Sequence, residues 1–272
     1  METRSSLPPA EPGIPQHTVD RGVYTIGAPR PVTVDPASLD DPKVLQMLST
    51  EHWSLLATRS LSWNESFSRT GIFLSVLSAS VVALGLVDGA NDFGTEFSIF
   101  ALVLLPVTLF VGIATYVRLD EVNVEDIVWV AGMNRIRNAY VTVRPAIEPY
   151  LVAGWSDDEI GVARTFAMTR DPTPANTFVH QFVTTPGMVA VIDAVLAGAI
   201  AGLAVPKLVA DSTSSSMTLT IPVAVIVGVL TLGALLYSSV RRGRRVMGSW
   251  RPRFPMPEGA SVDPLRGDRP RS

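Results

Sequence analysis

Four stretches of this chain are apolar and contain at most one charged residue each. They cover residues 70–87, 97–117, 187–206 and 218–240. Each is close to the ~20 residues that a helix needs to cross the ~30 Å hydrocarbon core of a bilayer. A water-soluble fold has no place for four such stretches in a chain of 272 residues. The sequence therefore predicts an all-α, polytopic membrane protein with four transmembrane helices paired as two hairpins.

Composition restricts the chemistry that the chain can perform. Charged residues make up 17% of it, below the ~25% of an average soluble domain, and its net charge of −3 does not favour a nucleic-acid partner. Cysteine is absent, which excludes disulfides, thiolate nucleophiles and cysteine-bound metals. The sequence also lacks the nucleotide-binding, zinc-protease and serine-hydrolase motifs. We therefore expect a protein that is not an enzyme, with no catalytic residue, metal site or cofactor.

Basic residues alternate along the chain in the way that sets membrane topology. Six precede the first span, six lie between the second and third spans, and nine follow the fourth, whereas the two short links hold none and one. Because loops rich in Arg and Lys stay in the cytoplasm, we expect a multi-pass protein of the cell membrane with both termini cytoplasmic. The basic cluster after the fourth span is expected to contact anionic lipid headgroups, with a nucleic-acid patch as the lesser alternative. It comprises Arg241, Arg242, Arg244 and Arg245.

The chain divides into five parts. Residues 1–34 are rich in proline and poor in apolar anchors, so we expect a disordered tail. Residues 42–143 form the first membrane hairpin with cytoplasmic helical extensions, and residues 144–186 form a cytoplasmic linker with short helices. Residues 187–240 form the second hairpin. Residues 241–272 are expected to be a basic, flexible cytoplasmic tail.

The helix of the first span is expected to begin well before the membrane. No proline or glycine interrupts residues 43–70, and Pro42 follows two aspartates that suit the positive end of a helix dipole. This pattern predicts a cytoplasmic helix that runs straight into the first span. In the linker, a further short helix is expected after Ser156 as its N-cap, with acidic residues in the first turn.

The second span is also expected to continue as a cytoplasmic helix. Apolar residues recur there at alternating spacings of three and four, which is typical of a coiled-coil seam. Asp126 is the one charged residue on this seam, either as a buried acid that sets the register or as a solvated edge residue. The pattern predicts that the two extensions pack together. The seam includes Val122, Trp129, Met133, Ile136 and Tyr140.

Asp193 is the only ionisable residue inside any of the four spans. A charged side chain at that depth costs several kcal/mol unless it is paired, shallow or hydrated. One interpretation is an intramembrane ion or proton site, or an acid that lines a pore. The other is a structural hydrogen bond or ion pair, for example with Arg69 or Arg118 at the same membrane face.

The third span carries a face of small residues four positions apart. Such spacing lets membrane helices approach closely. The face could form an interface between copies of the chain or a contact within one copy, and the sequence does not favour either. Its members are Ala190, Ala194, Gly198 and Gly202.

Residues 59–71 lead directly into the first span and read Arg-Ser-Leu-Ser-Trp-Asn-Glu-Ser-Phe-Ser-Arg-Thr-Gly. In this run the chain resembles uncharacterised integral membrane proteins of GC-rich bacteria. The helix–span–span–helix plan of residues 42–143 is also similar to the SLATT-type two-span membrane effector domains of bacterial conflict systems. That resemblance implies an oligomeric, pore-forming effector, and the second hairpin departs from the two-span plan.

Two functional hypotheses follow from these patterns. The first is a non-enzymatic, oligomeric membrane scaffold or interaction module, whose partners are the lipid bilayer, further copies of the chain and a cytoplasmic protein. The second is an ion-conducting or pore-forming membrane effector with Asp193 in its lining.

Overall fold

The computed structural model describes residues 33–91, 94–166, 184–208 and 213–256. Within those ranges every regular element is a helix. The elements are α1 (Pro36–Leu39), α2 (Pro42–Asn91), α3 (Thr95–Val143), a 3₁₀ helix (Pro145–Tyr150), α4 (Glu159–Thr165), α5 (Thr185–Leu208) and α6 (Thr213–Ser249). Nearly all of the tail expected at residues 1–34 lies outside the described residues, as does the chain after Met256.

Four of the helices are long and apolar enough to cross a membrane. They are α2, α3, α5 and α6, and their apolar parts coincide with the four stretches found in the sequence. The prediction of an all-helical chain with four helices that can span a bilayer is therefore confirmed for the part of the chain that the structure describes.

Helices α2 and α3 extend far beyond the thickness of a bilayer core. They contain 50 and 49 residues, so each is about 75 Å long. The helix α2 is continuous across residues 43–70, as the lack of proline and glycine there predicts, and α3 passes through Pro106 without ending. We call residues 42–69 of α2 and residues 118–143 of α3, which lie outside the apolar stretches, the stalk.

The apolar parts of the helices pack around α3. This helix contacts α2 on one side and α5 on another, while α6 packs mainly against α5. The Tyr116 hydroxyl of α3 also donates a hydrogen bond of 2.7 Å to the carbonyl oxygen of Leu235 on α6. The buried core of this region consists of Phe73, Ala101, Leu105, Tyr116, Leu119, Val189, Ala190 and Leu196.

A second, smaller core lies in the stalk. Buried residues of α3 contact Val162 of α4, and the indole of Trp250 packs against the same cluster. Residues from three distant parts of the sequence therefore close this end of the molecule. The cluster comprises Val130, Ala131, Met133 and Val162, flanked by Leu55, Ile127, Phe166 and Trp250.

The helix in the linker starts later than expected. The N-cap of α4 is Asp158, whose Oδ1 accepts a 2.8 Å hydrogen bond from the backbone N–H of Gly161. Ser156 instead is buried and donates its hydroxyl to the same carboxylate at 2.8 Å. The expectation of a Ser156 cap is therefore wrong, because the carboxylate two residues later accepts a free N–H group of the first turn.

The chain after the fourth span is structured as far as the structure describes it. Residues 241–249 continue α6 without a break, and residues 250–256 are held by hydrogen bonds to Asp157 and Asp158. We expected a flexible tail from residue 241 onward, and this portion differs from that expectation. The physical reason is that a buried carboxylate collects the backbone N–H groups of the segment, as described below.

Candidate functional site

Asp193 lies on α5 where this helix packs against α3 and α2. Its side chain is fully buried, and neither carboxylate oxygen has a hydrogen-bond partner within the described residues. Gly112 of α3 faces the carboxylate. A Cβ at position 112 would overlap Oδ1 of Asp193 and lie 2.9 Å from Cε2 of Phe73. Any side chain at position 112 would therefore compete with the carboxylate for its place.

The arginines suggested as partners for Asp193 bind other acids. Arg118 contacts Glu65 at 3.1 Å and Glu125 at 3.2 Å, and Arg69 contacts Glu65 at 2.8 Å. Hydrogen bonds from Arg69 and then from Arg118 hold the pKa of Glu65 below its usual value. Because Glu65 is exposed, this pairing does not require either arginine to leave water, whereas a pair with Asp193 would. The geometry therefore does not show an ion pair between Asp193 and either Arg69 or Arg118.

The small-residue face of α5 is used inside the chain. A Cβ at Gly198 would lie 2.7 Å from the carbonyl oxygen of Ala224 on α6, and one at Gly202 would lie 3.4 Å from Cβ of Ala224. A Cβ at Gly228 of α6 would in turn lie 3.1 Å from the carbonyl oxygen of Ala194. Ala190, at the start of the face, belongs to the core around α3. Of the two alternatives, the geometry favours the contact within one copy.

The seam of α3 faces into the stalk. Val122, Met133 and Ile136 are buried, while Trp129 and Tyr140 are half-buried. Met133 belongs to the small core that α4 and Trp250 complete. The seam is therefore a packing surface within the chain.

Asp126 is buried on this seam and is paired with Arg59 of α2. The Nη2 group of Arg59 donates to Oδ2 at 3.0 Å, and Nε donates to Oδ1, so the pair is bidentate. The guanidinium carbon of Arg59 also lies 5.7 Å from the centre of the Phe166 ring. Of the two interpretations of Asp126, the structure agrees with the buried acid. A bidentate pair has strict geometry and so fixes the register of α2 against α3.

A second buried carboxylate, Asp157, organises the end of the stalk. Its side chain is fully buried and accepts a 2.6 Å hydrogen bond from Nε of Arg135 on α3. It also accepts the backbone N–H groups of Arg253 at 3.0 Å and Phe254 at 2.8 Å. The guanidinium of Arg135 lies 5.3 Å from the centre of the Trp250 ring. One carboxylate thus joins α3, the linker and the segment after α6.

Further hydrogen bonds reinforce this junction. The indole N–H of Trp250 donates to the carbonyl oxygen of Asp157 at 2.6 Å, and the N–H of Met256 donates to Asp158 at 2.7 Å. From α3, the amide of Asn134 donates to the carbonyl oxygen of Ser156 at 2.9 Å. Most of the polar groups of residues 156–158 therefore have partners, which is what buried polar groups require.

Only a weak signal for this junction is present in the sequence. Asp157 and Asp158 look like ordinary acids in the first turn of a helix, and Trp250 starts a stretch rich in proline and arginine. The hydrogen bonds that join them connect residues 93 to 98 positions apart. A buried tryptophan beside arginines could have indicated a docked segment, because tryptophan is seldom left in water.

Helix α6 is tied to α3 where both leave the apolar region. Asp120 is buried and accepts a 2.5 Å hydrogen bond from the hydroxyl of Ser239 and an ion pair of 3.3 Å from Arg242. Of the predicted basic cluster, Arg242 is therefore engaged within the chain. The other three members, Arg241, Arg244 and Arg245, are exposed.

Three basic side chains of the stalk, Arg59, Arg137 and His52, interact electrostatically. Burial lowers the pKa of Arg137, with a smaller effect from Arg59. Burial, followed by the charge of Arg137, also lowers the pKa of His52 on α2. Protonation of His52 therefore opposes the packing of α2 against α3.

One face of α2 is exposed in the described chain. It carries Trp53, Leu56, Phe67, Leu74 and Val81, all exposed. Between them lie small residues seven positions apart, at Ala57, Asn64, Gly71, Ser78 and Gly85, also exposed. A Cβ at Gly71 or Gly85 would meet no atom within 4 Å. We call these ten residues the outer face of α2.

Among the described residues, no group of three or more His, Asp or Glu side chains is placed to hold a metal ion. The buried acids Asp120, Asp126 and Asp157 are each engaged by an arginine. Among the buried acids of the described residues, this leaves Asp193 without a hydrogen-bond partner. No protein-family model, curated protein or solved structure matches this chain.

Proposed function

We propose that this protein is a non-enzymatic membrane scaffold that self-associates through the outer face of α2. In this proposal the chain spans the cell membrane four times with both termini and the stalk in the cytoplasm. The observation that carries it is the exposure of large apolar side chains on the stalk, beyond the part of α2 that lipid can cover. Trp53 is 66% exposed and Leu56 is 38% exposed.

The evidence for an interaction site comes from the part of the outer face that lies on the stalk, outside the apolar stretch. Apolar side chains on a membrane helix contact lipid at no cost, whereas Trp53 and Leu56 would stand in water. Burying apolar surface contributes about 25 cal/mol per Å², and extended exposed apolar patches mark interaction sites. A partner that covers the outer face is thus favoured on the stalk by the hydrophobic effect.

A second copy of the chain is the partner that fits this face best. The face passes without a break from the stalk into the apolar stretch, so its partner must be a helix that leaves the membrane at the same height. A second α2, inserted with the same orientation, meets that condition. Residues that repeat every seven positions favour a left-handed supercoil of two helices. A parallel pair would place Asn64 opposite Asn64, an arrangement that suits a buried asparagine.

Cysteine cross-linking tests this proposal, because the natural chain contains no cysteine. Phe67→Cys and Leu74→Cys place a thiol on the outer face, and oxidation in native membranes should give disulfide-linked dimers. Ile72→Cys is the matched control, since Ile72 is 58% exposed at the same depth as Leu74 but lies about 160° around the helix. Cross-linking of Ile72→Cys as fast as Leu74→Cys would contradict the proposed face.

A second measurement separates association from folding. Gly71→Leu adds a large side chain to the outer face, at a position where a Cβ meets nothing within 4 Å. Gly233→Leu adds the same side chain to an equally open position on α6, away from the outer face. We expect Gly71→Leu to reduce the dimer fraction by native mass spectrometry at least tenfold, and Gly233→Leu to leave it unchanged. A wild-type protein that is monomeric in nanodiscs at every concentration would overturn the proposal.

A second candidate function is supported by Asp193. Ionisable residues within the membrane usually belong to ion or proton pathways, and this acid is buried without a hydrogen-bond partner in the described chain. In this alternative the protein conducts ions or forms a pore as a membrane effector, with Asp193 as a site for the ion or proton. Ion flux into liposomes that is lost in folded Asp193→Asn would support it. Equal flux with both proteins would exclude Asp193 from the pathway, and no flux from inserted wild type would leave the scaffold.

A further inference from the structure

Asp193 and Gly112, which face each other, lie at the same depth in the apolar part of the molecule. Asp193 is about 9 Å along α5 from residue 187, where the third apolar stretch begins. Gly112 is about 8 Å along α3 from residue 117, where the second stretch ends. Half of a hydrocarbon core is about 15 Å thick. In a chain that spans the membrane as proposed, the carboxyl group therefore lies inside the hydrocarbon region.

The space around this carboxyl group is closed by protein. The side chain of Asp193 has no exposed surface. The backbone of Gly112 and the ring of Phe73 stand against it from α3 and α2. On α5 itself, Val189 and Ala190 in the preceding turn belong to the apolar core. The carboxyl group is therefore in contact with neither lipid nor bulk water.

The hydroxyl groups of α3 on either side of Gly112 are engaged elsewhere. Thr108 and Thr115, each about one turn away, donate to carbonyl oxygens of their own helix at 3.1 and 2.8 Å. The hydroxyl of Tyr116 donates to a carbonyl oxygen of α6 at 2.7 Å. Neither oxygen of Asp193 has a hydrogen-bond partner in the described chain.

No counter-charge is available at this depth either. The four apolar stretches contain no other Asp, Glu, Lys, Arg or His. The arginines nearest along α2 and α3, Arg69 and Arg118, both bind Glu65. Arg242, just beyond the apolar stretch of α6, binds Asp120, and Lys207 lies about 21 Å along α5. An ionised Asp193 would therefore be an uncompensated buried charge, and acids in such surroundings take up a proton instead.

We propose that Asp193 is a proton-binding site and holds its proton at neutral pH. A metal cation fits this place poorly, because such ions are held by several oxygen ligands. The described residues place no group of three or more His, Asp or Glu side chains together, whereas a proton needs only the carboxylate itself. The inference rests on the second candidate function, which puts this acid in an ion or proton pathway, and it names the ligand.

Infrared spectroscopy of the full chain in bilayers at neutral pH tests the proposal. A protonated carboxyl group has a C=O stretching band that an ionised carboxylate lacks. We expect this band in the wild type and expect Asp193→Asn to lose it. Asp120→Asn is the matched control, because Asp120 is also buried but is bound by Ser239 and Arg242. This control should keep the band.

A comparison of salts tests the choice of a proton over a metal ion. The band should have the same intensity in sodium, potassium and choline chloride at equal concentration, since only the metal ions are small enough to replace a proton. A weaker band in sodium or potassium chloride than in choline chloride would show that a metal cation displaces the proton. That result would overturn the proposed ligand.

A second measurement assigns the proton in the wild type, even if Asp193→Asn fails to fold. Dicyclohexylcarbodiimide dissolves in lipid and reacts with protonated carboxyl groups. The proton passes to one carbodiimide nitrogen, the carboxyl oxygen adds to the central carbon, and the acyl group then moves to the other nitrogen, so no atom leaves. Mass spectrometry should locate this adduct on Asp193. An adduct on Asp120 or Asp126 in place of Asp193 would overturn the assignment.

The infrared band is read independently of ion flux, so the two hypotheses about Asp193 can fail separately. The absence of the band from folded wild type, or its survival in folded Asp193→Asn, would overturn the proton site. A band without ion flux would support the proton site and remove the pathway. Flux that depends on Asp193, measured for a protein without the band, would support the pathway and overturn the proton site.

Discussion

Gly112 and Asp193 share one space at the contact of α3 with α5. The carboxylate of Asp193 lies where a side chain at position 112 would stand, against Phe73 of α2. The acid is thus accommodated by the lack of a side chain on the facing helix, and not by a donor or a counter-charge among the described residues. This relationship makes the close packing of α2, α3 and α5 depend on a single glycine.

Gly112→Ala should destabilise the protein because the added methyl group overlaps the carboxylate. Overpacking of this kind costs about 1–3 kcal/mol, which lowers the apparent Tm in detergent by about 2–12 °C in a chain of this size. Gly233→Ala, where a Cβ meets nothing within 4 Å, is the control and should leave Tm unchanged. Adding Asp193→Ala to Gly112→Ala should restore part of the loss, and a double variant less stable than Gly112→Ala would contradict this account.

Removing either member of the Arg59–Asp126 pair should cost more than removing both. Arg59→Met leaves a buried carboxylate without its counter-charge, which costs about 3 kcal/mol. Arg59→Met combined with Asp126→Leu removes the unpaired charge and should recover most of that stability. A double-mutant cycle on thermal unfolding measures the coupling, and additive effects would show that the two side chains act independently.

Asp157→Asn should release the segment after α6. The substitution removes the negative charge and turns one acceptor into an NH₂ group, which faces either the donors of Arg135 and Arg253 or the N–H of Phe254. Trypsin should then cleave after Arg253 at least tenfold faster than in wild type, as followed by the appearance of a fragment that ends at Arg253. Asp40→Asn, which breaks an exposed pair with Arg144, is the control, and equal cleavage of both variants would argue against the junction.

The stability of the stalk should decrease as the pH falls below about 6.5. Burial and the charge of Arg137 lower the pKa of His52 from its ordinary value of 6.5. The folded state then binds a proton less readily than the unfolded chain, so the contribution of His52 is present above pH 6.5 and is lost as the pH falls through its folded pKa. His52→Gln should reduce the slope of Tm against pH between about 7 and 5. An identical slope in wild type and variant would exclude His52 as its source.

The continuous helices were predictable because their signal is local. An uninterrupted run without proline or glycine, together with an N-terminal Pro42, is enough to extend α2 from the first span into the stalk. The length of each of the four apolar stretches can likewise be compared directly with the thickness of a bilayer core. Each of these inferences uses only neighbouring residues.

The pairing of charged residues was harder to predict from the sequence. The position of each residue along its helix indicated that Arg69 and Arg118 lie near the level of Asp193. It did not indicate how each helix is rotated about its axis. A helix that is apolar all round gives no periodic signal from which that rotation could be read. Asp157 was missed for another reason, since its donors lie about 95 positions further along the chain and no local pattern records so distant a contact.

The unbroken helix α2 also has a mechanical consequence. Its stalk portion extends about 40 Å beyond residue 70, with no proline or glycine at which it could bend. If the membrane portion tilts by about 10°, the far end of the stalk moves by about 7 Å. Bilayers of different thickness change the tilt of the helices that cross them. The stalk is therefore a rigid extension of the membrane helix. A small change in bilayer thickness that alters the tilt of α2 becomes a larger displacement at the far end of the stalk.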